Sequence, residues 1–114
     1  MNTLEINWTD FEKVEMRVGT ILDAVDFPEA RKPAYQLTID FGNAIGIRKS
    51  SAQITQRYQK EALIGKQIIA VVNFPKKQIG PFRSECLVLG SVGADNDIVL
   101  LTSDLKVENG LRIA

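Results

Sequence analysis

Strict alternation between apolar and polar side chains marks one segment of the chain as a β-strand. A single polar residue separates each member of an apolar set from the next: Tyr35, Leu37, Ile39 and Phe41. Successive side chains of a strand point to opposite faces, so this spacing predicts a half-buried strand over residues 35–41. Gly42 and Asn43 follow it and predict a turn.

An earlier segment also has a period of two, but its phase changes partway. The apolar residues before Gly19 are at even positions, whereas those after it are at odd positions: Ile21, Val25 and Phe27. A one-residue shift beside a glycine is typical of a β-bulge. The pattern predicts a long first strand that bends at Gly19, as a small closed barrel requires.

Helical spacing occurs in two short stretches. Thr9 and Glu12 form a capping-box pattern, which predicts a single helical turn near the N-terminus. Residues 51–64 place three apolar side chains on one helical face: Ile54, Tyr58 and Ala62. This second pattern predicts a short, irregular helix that ends at Gly65.

The remaining segments are short and are separated by glycine, proline or acidic turn residues. Further strands are predicted over residues 44–48, 67–74, 84–89 and 98–102, with loops over residues 28–33 and 76–83. Asn109 and Gly110 stand between Val107 and Leu111, which predicts a β-hairpin.

The order of these elements predicts an all-β fold with a short helix. Five strands with a helix between the third and the fourth are typical of the OB-fold, a five-stranded Greek-key barrel. The segment after Gly90 exceeds that barrel and predicts an added C-terminal β extension. A length of 114 residues predicts a single domain over residues 1–114. A fold of this kind often binds oligonucleotides, but a fold alone does not establish function.

Composition excludes several classes of site. The chain has no histidine and one cysteine, Cys86, so it has neither the commonest general base nor the residues for a cysteine-based zinc site. We therefore expect no enzyme activity, catalytic residue, metal or cofactor. Cys86 is expected to be a buried, small apolar residue. No apolar run is long enough to span a membrane and no signal-peptide pattern is present, which predicts a cytoplasmic protein without membrane insertion.

The formal net charge of zero conceals an uneven distribution of charge along the chain. Between Arg31 and Arg83 there are ten basic and two acidic residues, a net charge of +8, and the two ends together carry −8. One interpretation is a basic face that attracts phosphates. The other is that folding mixes the charges into a neutral surface, and both remain open at this point.

Two polar clusters near predicted strand ends are candidates for RNA contacts. Arg48-Lys49-Ser50-Ser51 follows the third predicted strand, and Lys76-Lys77-Gln78 follows the fourth. Their cations and hydroxyls suit phosphates, and Asn73 and Gln78 suit base edges. Either cluster could equally be a solvated loop. Phe82 is a candidate for base stacking if exposed, whereas Tyr58 is expected to pack under the helix.

An ordered set of motifs resembles one protein family. DFEKVEMRVG at residues 10–19 resembles the opening of the tRNA-binding domains appended to methionyl- and phenylalanyl-tRNA synthetases. The free-standing CsaA branch of that family is the closer resemblance, and its signature is similar to these motifs: FG (41–42), IGIRKSSAQI (45–54), LIGK (63–66), VNFP (72–75) and SECLVLG (84–90). The synthetase-appended domains have an Asn-Leu-Lys-Pro-like turn and Ser-x-Gly-Met where this chain has NFPK and SECL, which favours the CsaA branch.

The resemblance implies an OB-fold homodimer that binds tRNA and is linked to protein export. The positions that match the family's binding loops are Arg48, Lys49, Ser50, Asn73, Lys76, Lys77, Arg83, Ser84 and Glu85. With Phe82 added as the stacking candidate, these are the predicted RNA-binding residues. The alternative function is a chaperone that binds extended, unfolded precursor polypeptides and works with the export machinery, with RNA binding incidental. The predicted homodimer rests also on the small size of the chain and on its C-terminal β extension.

Overall fold

The computed structural model describes residues 4–114. The elements in chain order are α1 (Trp8–Glu12), β1 (Met16–Asp26), β2 (Tyr35–Asp40), β3 (Ile47–Ala52), α2 (Lys60–Leu63), β4 (Gln67–Val71), β5 (Lys77–Ile79), β6 (Phe82–Ser84), β7 (Leu87–Val88), β8 (Gly90–Val92), a 3₁₀ turn (Ala94–Asn96) and β9 (Ile98–Leu100). No helix within this part of the chain has the length and apolar character needed to cross a membrane.

Five of the strands form one antiparallel sheet in the order β3-β2-β1-β4-β7. The free edge of β3 meets the segment between β6 and β7, where the Glu85 N–H donates to the Lys49 carbonyl at 2.8 Å. This contact nearly closes the sheet into a barrel, with α2 between the third and fourth strands. The predicted OB-fold is confirmed, and the β8–β9 hairpin is a β addition at its C-terminal side.

The alternating segment forms β2 and supplies the centre of the core. Tyr35, Leu37, Ile39 and Phe41 are all buried, while the residues between them are partly exposed. They pack with buried residues from β1, β4 and the segment around α2, such as Ile21, Ile68 and Leu63. Burial of one face of β2 sets its register, because a slip of one residue would turn every apolar side chain to solvent.

β1 is long and bent as predicted, but the predicted position of the bulge is wrong. Its register with β2 shifts between Ile21 and Asp23 rather than at Gly19. The shift leaves Ala24 buried at 6% exposure and Val25 exposed at 43%. The sequence pattern predicts that Val25 lies on the apolar face, and the extra residue in the bulge turns it to the other face.

Gly19 allows a close approach between β1 and the side chains of its neighbour. A Cβ atom at this position would lie 2.7 Å from the Ile39 Cγ2 atom and from the Phe41 ring. Glycine in the interior of a strand often marks such a contact. The glycine signal in the sequence therefore reflects packing against β2 and not an irregular backbone.

β3 begins three residues later than the predicted strand over residues 44–48. Residues 43–45 form a turn, and Gly46 has a φ of +85° that a residue with a side chain rarely adopts. β3 then continues to Ala52. As a result, the first polar cluster, Arg48 to Ser51, lies within the strand and not after it.

The predicted loop over residues 76–83 is a β-hairpin. β5 pairs with β6 through Lys77 with Ser84, Gln78 with Arg83 and Ile79 with Phe82. Gly80, with a φ of +56°, and Pro81 form its turn. The predicted strand over residues 84–89 is interrupted, because β6 ends at Ser84 and β7 is a separate strand of two residues.

Asn109 and Gly110 form a turn, but the predicted hairpin around them is wrong. Gly110 has a φ of +91°, as the turn requires. The flanking segments do not pair with each other. Val107 bonds to the Gln67 side chain, and the Ile113 N–H donates to the Met16 carbonyl on β1.

Both helices differ in extent from the sequence prediction. α1 is capped by Asn7 and Asp10, which exchange side-chain and backbone bonds as a capping box, so the helix starts before Thr9. α2 has only four residues, although Gly65 ends it as predicted, with a φ of +89°. The apolar residues before α2 reach the core from a turn rather than a helix.

Candidate nucleic-acid interface

A groove of about 890 Å³ lies between the end of β3, the β5–β6 hairpin and the β8–β9 hairpin. Its floor is apolar and includes Ala52, Ile54, Cys86 and Leu100. Polar side chains border this floor, among them Lys32, Lys77, Gln53, Ser84 and Asn96. The volume falls in the range of about 300–1,000 Å³ that small-ligand pockets occupy.

The register of the β5–β6 hairpin separates two of the predicted cations. Residues that pair across an antiparallel ladder share a face, and neighbours along a strand alternate. Lys77 and Ser84 pair and both line the groove, whereas Gln78 and Arg83 pair on the opposite face and are exposed. Lys77 is therefore the hairpin cation that faces the groove.

The side chains of the first polar cluster divide between the two faces of β3. Ser50 is buried at 1% exposure, and its hydroxyl donates to the Cys86 carbonyl at 2.9 Å. Arg48 is half-buried and donates to the Val72 carbonyl at 2.6 Å, which ties β3 to the end of β4. Lys49 is exposed. Of the three, Lys49 presents its charge to solvent, and the other two hold the barrel together.

Ser84 and Glu85 occupy the seam where the barrel closes. The Lys49 N–H donates to the Glu85 Oε1 atom at 3.0 Å, and the Ser51 N–H donates to the Ser84 Oγ atom at 3.2 Å. These main-chain donors lie on the edge of β3 that has no neighbouring strand. Two side chains therefore satisfy the donors that a sixth strand would otherwise satisfy.

Glu85 is an ionised carboxylate within this seam. Burial acts to raise its pKa, but the Lys49 N–H, the Lys76 ammonium and the Arg48 charge lower it, and the pKa of Glu85 is below its ordinary value of 4.5. Its Oε2 atom lies 3.4 Å from the Lys76 Nζ atom. Lys76 is therefore partly neutralised by a residue of the same predicted site.

Asn73 fixes the loop that follows β4. Its Nδ2 atom donates to the Lys13 carbonyl at 2.6 Å, and its Oδ1 atom accepts from the Glu15 N–H at 3.0 Å. The Val72 N–H adds a bond to the Glu15 carbonyl. With both ends of its amide engaged, Asn73 positions the next residues rather than presenting a free amide.

The aromatic side chain that is accessible in the groove is Phe74 and not Phe82, the predicted stacking residue. Phe82 is 8% exposed and packs on Phe27, with ring centroids 5.2 Å apart. Tyr58 is half-buried, and its hydroxyl accepts from the Leu100 N–H at 3.0 Å. Phe74, between Asn73 and Pro75, is 54% exposed and lines the groove. The sequence pattern places Phe74 at the end of the predicted strand over residues 67–74, but β4 ends at Val71, so Phe74 lies outside the strand.

Cys86 is buried, as predicted, in the floor of the groove. Burial raises the pKa of its thiol to about 11, against a smaller lowering by the hydrogen bond with Ser50, so the thiol is neutral at physiological pH. Within residues 4–114, no three histidine, cysteine, aspartate or glutamate side chains are grouped so as to hold a metal ion.

Folding mixes part of the segregated charge. Three cations from the basic middle of the chain pair with carboxylates: Arg57 with Asp97, Lys60 with Asp26 and Lys76 with Glu85. All three carboxylates come from the acidic ends of the chain. Lys49, Lys77 and Arg83 are exposed and form no ion pair with any residue between 4 and 114. Folding therefore neutralises some cations of the basic middle and leaves others exposed.

Comparisons with known proteins match nearly the whole chain. A family model described as "Putative tRNA binding domain" matches residues 16–112. The structure is similar to the chaperone CsaA from Bacillus anthracis strain Ames, with 50% identity and a TM-score of 0.92, over 97% of this chain and 100% of that one. It is also similar to the CsaA chaperone protein from Picrophilus torridus, with 55% identity and a TM-score of 0.90, over 96% of this chain and 100% of that one.

Curated relatives include much longer proteins. The chain is 32% identical to the methionine–tRNA ligase of Parabacteroides distasonis over 95% of its own length, but it spans only 16% of that ligase. The match to the methionine–tRNA ligase of Thermococcus onnurineus is comparable, at 31% identity over 95% of this chain and 14% of the ligase.

Proposed function

Because the chain belongs to the family of tRNA-binding domains, we propose that it binds tRNA, through the groove and the cations beside it. The observation that carries the proposal is the family match over residues 16–112, with exposed cations on β3 and on the β5–β6 hairpin that form no ion pair within the described part of the chain. Phosphates attract such cations and release counterions on binding, which supplies a large share of the affinity of proteins for nucleic acids. The proposed role is binding and not catalysis.

The predicted RNA-binding residues take two roles in this proposal. Three accessible cations would contact phosphates directly: Lys49, Lys77 and Arg83. Lys76 would also contact a phosphate while it keeps its ion pair with Glu85. The remaining residues act by holding the accessible ones in place: Arg48, Ser50, Asn73, Phe82, Ser84 and Glu85. Their hydrogen bonds and packing keep the seam, the β4 loop and the hairpin in fixed positions.

The test is fluorescence anisotropy of labelled total tRNA at several salt concentrations. For the double variant Lys77→Ala with Arg83→Ala, we expect weaker binding and a plot of log K against log salt that is less steep by about 1 for each phosphate that the variant no longer binds. The matched control is Lys66→Ala with Lys106→Ala, which removes the same charge at exposed positions outside the groove lining. Lys66 precedes β4, at the end of the strand opposite the Asn73 loop.

Three results distinguish the possibilities. A reduced slope for the hairpin variant alone supports tRNA binding at the β5–β6 hairpin. An equal reduction in both variants means that net charge, and not the hairpin, attracts the RNA. Absence of tRNA binding by the wild-type protein even at low salt contradicts the proposed function.

A second candidate function is binding of unfolded polypeptides. Two similar structures, with about half of their residues identical to this chain, are chaperones by name, and the groove has an apolar floor that could accept side chains of an extended peptide. Unfolded precursors and the export machinery would then be its partners. Isothermal calorimetry with a permanently unfolded precursor tests this role, and absence of binding removes it.

We also propose that the protein is a homodimer. Exposed apolar side chains occur on the N-terminal segment before β1 and on the C-terminal segment after β9: Ile6, Trp8, Val14, Leu105 and Leu111. α1 itself buries none of its residues against the barrel. A domain of this size would gain stability by covering these side chains with a second copy.

A further inference from the structure

Phe74 is an exposed aromatic ring at the groove. The chain has one tryptophan, two tyrosines and five phenylalanines. Of these eight side chains, all within the described residues 4–114, only Trp8 and Phe74 are more than half exposed, at 82% and 54%. Trp8 does not line the groove, whereas Phe74 does, beside Pro75 and close in sequence to Lys77. Exposing a large apolar ring has a free-energy cost that a bound ligand can recover.

The backbone around Phe74 is fixed before any ligand binds. Asn73 bonds to Lys13 and Glu15 through both ends of its amide, and the following Pro75 restricts its own φ and the backbone of Phe74. Because little conformational freedom remains to be lost, a contact with the ring would be made at low entropic cost.

The charges and polar groups around the ring favour an anionic ligand with hydrogen-bonding edges. The charged residues that line the groove are Lys32 and Lys77, and no lining residue within the described part of the chain is an aspartate or a glutamate. Gln53 and Asn96 add exposed amides, which can both donate and accept hydrogen bonds. An apolar polypeptide segment would use the floor of the groove but neither of the lysines.

We propose that Phe74 is the stacking platform for an unpaired nucleobase of the bound RNA. Lys77 and Lys32 bind the flanking phosphates, and the amides of Gln53 and Asn96 contact the edges of the base. The groove then recognises single-stranded nucleotides, since a base within a duplex has no free face to stack on Phe74. This inference rests on the proposed tRNA-binding function and specifies that the groove binds unpaired nucleotides of the RNA.

Affinity measurements with two kinds of RNA test the stacking contact. For Phe74→Leu, which keeps an apolar side chain but removes the ring, we expect tRNA and a short single-stranded RNA to bind roughly 5- to 100-fold more weakly. The slope of log K against log salt stays at its wild-type value, because the cations that bind phosphates are unchanged. A blunt duplex RNA binds both proteins equally. The control is Ile64→Ala, at a similarly exposed apolar residue (53%) outside the groove lining, which leaves all affinities unchanged.

A tryptophan placed at the ring position reports contact directly. In the double variant Trp8→Phe with Phe74→Trp, the single tryptophan is at the groove, and stacking of a base on it quenches its fluorescence. We expect single-stranded RNA and tRNA to quench it and blunt duplex RNA not to do so. Circular dichroism and the thermal midpoint verify that each variant remains folded.

The outcomes separate this inference from the proposed function. If wild-type protein binds tRNA and Phe74→Leu binds it equally well, the stacking contact is wrong while tRNA binding stands. If wild-type protein binds no tRNA at low salt, both fail. If a permanently unfolded polypeptide changes the tryptophan emission and single-stranded RNA does not, the groove is a polypeptide site and the inference is overturned.

Discussion

Two side chains take the place of a neighbouring strand at the outer edge of β3. Glu85 accepts from the Lys49 N–H, and Ser84 accepts from the Ser51 N–H. Both residues also belong to the set that the family resemblance marks as binding positions. In this structure their polar atoms form hydrogen bonds within the protein. A substitution of either residue would therefore affect RNA binding by changing how β3 is held at the seam.

The pH dependence of stability tests the role of the Glu85 carboxylate. Its pKa in the folded protein is below the ordinary value of 4.5, so its stabilising contribution is fully present above that pH and is lost as the pH falls through the folded-state pKa. We expect Glu85→Gln to unfold with a weaker pH dependence in this acidic range, measured as the urea midpoint at a series of pH values. Asp97, whose pKa is lowered by Arg57, retains a part of the dependence.

Two further variants complete this test. Glu85→Ala leaves the Lys49 N–H without its acceptor and is expected to lower the free energy of unfolding by about 1–3 kcal/mol at neutral pH. Glu61→Gln changes an exposed carboxylate outside the seam and serves as the control. A wild-type pH profile in Glu85→Gln would contradict the role assigned to this carboxylate.

At the scale of elements, the C-terminal segment is attached to the barrel by side chains as well as by its backbone. Gln67, the first residue of β4, donates to the Val107 carbonyl at 2.7 Å and accepts from the Val107 N–H at 3.1 Å, as a neighbouring strand would. Asn109 accepts from the Thr20 hydroxyl at 2.7 Å. The Gly110 N–H then donates to the Val18 carbonyl at 2.7 Å, and the segment continues along β1.

Removing the Gln67 side chain is expected to loosen this attachment. Gln67→Ala removes both bonds to Val107 and one to Asn109, so we expect the free energy of unfolding to fall by about 1–3 kcal/mol. Hydrogen exchange at the Gly110 and Ile113 amides should accelerate more than exchange in β2. Gln56→Ala, at an exposed glutamine, is the control; equal effects of the two variants would refute the attachment.

At the scale of the whole molecule, the arrangement of charge and of apolar surface points to two kinds of association. Among residues 4–114, exposed cations without an ion pair include Lys49 on β3 and Lys77 and Arg83 on the β5–β6 hairpin, and exposed apolar residues include Trp8 and Leu105 on the two terminal segments. A protein that binds tRNA with one surface and a second copy with the other would combine two such grooves. Avidity for a large RNA would then exceed the affinity of one groove.

Sedimentation equilibrium tests the association of two copies. We expect a mass of twice 12.7 kDa at micromolar protein concentration. Leu105→Glu places a charge at an apolar residue that is 74% exposed, and it should shift the protein toward the monomer. Ile64→Glu, at an apolar residue that is 53% exposed and belongs to neither terminal segment, is the matched control. A wild-type mass of 12.7 kDa would contradict the proposed homodimer.

Much of the fold was predictable because its strongest signals are local. The alternation over residues 35–41 identified β2, and the glycine at position 65 identified the end of α2. Boundaries in polar segments were less accurate: β3 starts at Ile47 because of the turn before Gly46, and Gly80 closes a hairpin in place of a loop. β3 forms by pairing with β2, and β5 forms by pairing with β6 across the turn at Gly80. Local sequence patterns do not specify such pairing partners.

The sequence by itself determined the fold class, the core face of β2, the lack of histidine and the family. Tertiary structure decided which polar residues are accessible. It buried Ser50 against Cys86, packed Phe82 on Phe27 and left Phe74 at the groove. The physical reason is that the period of a strand assigns each side chain to one of two faces. Whether a face meets the core, the seam or solvent depends on the elements that barrel closure brings beside it.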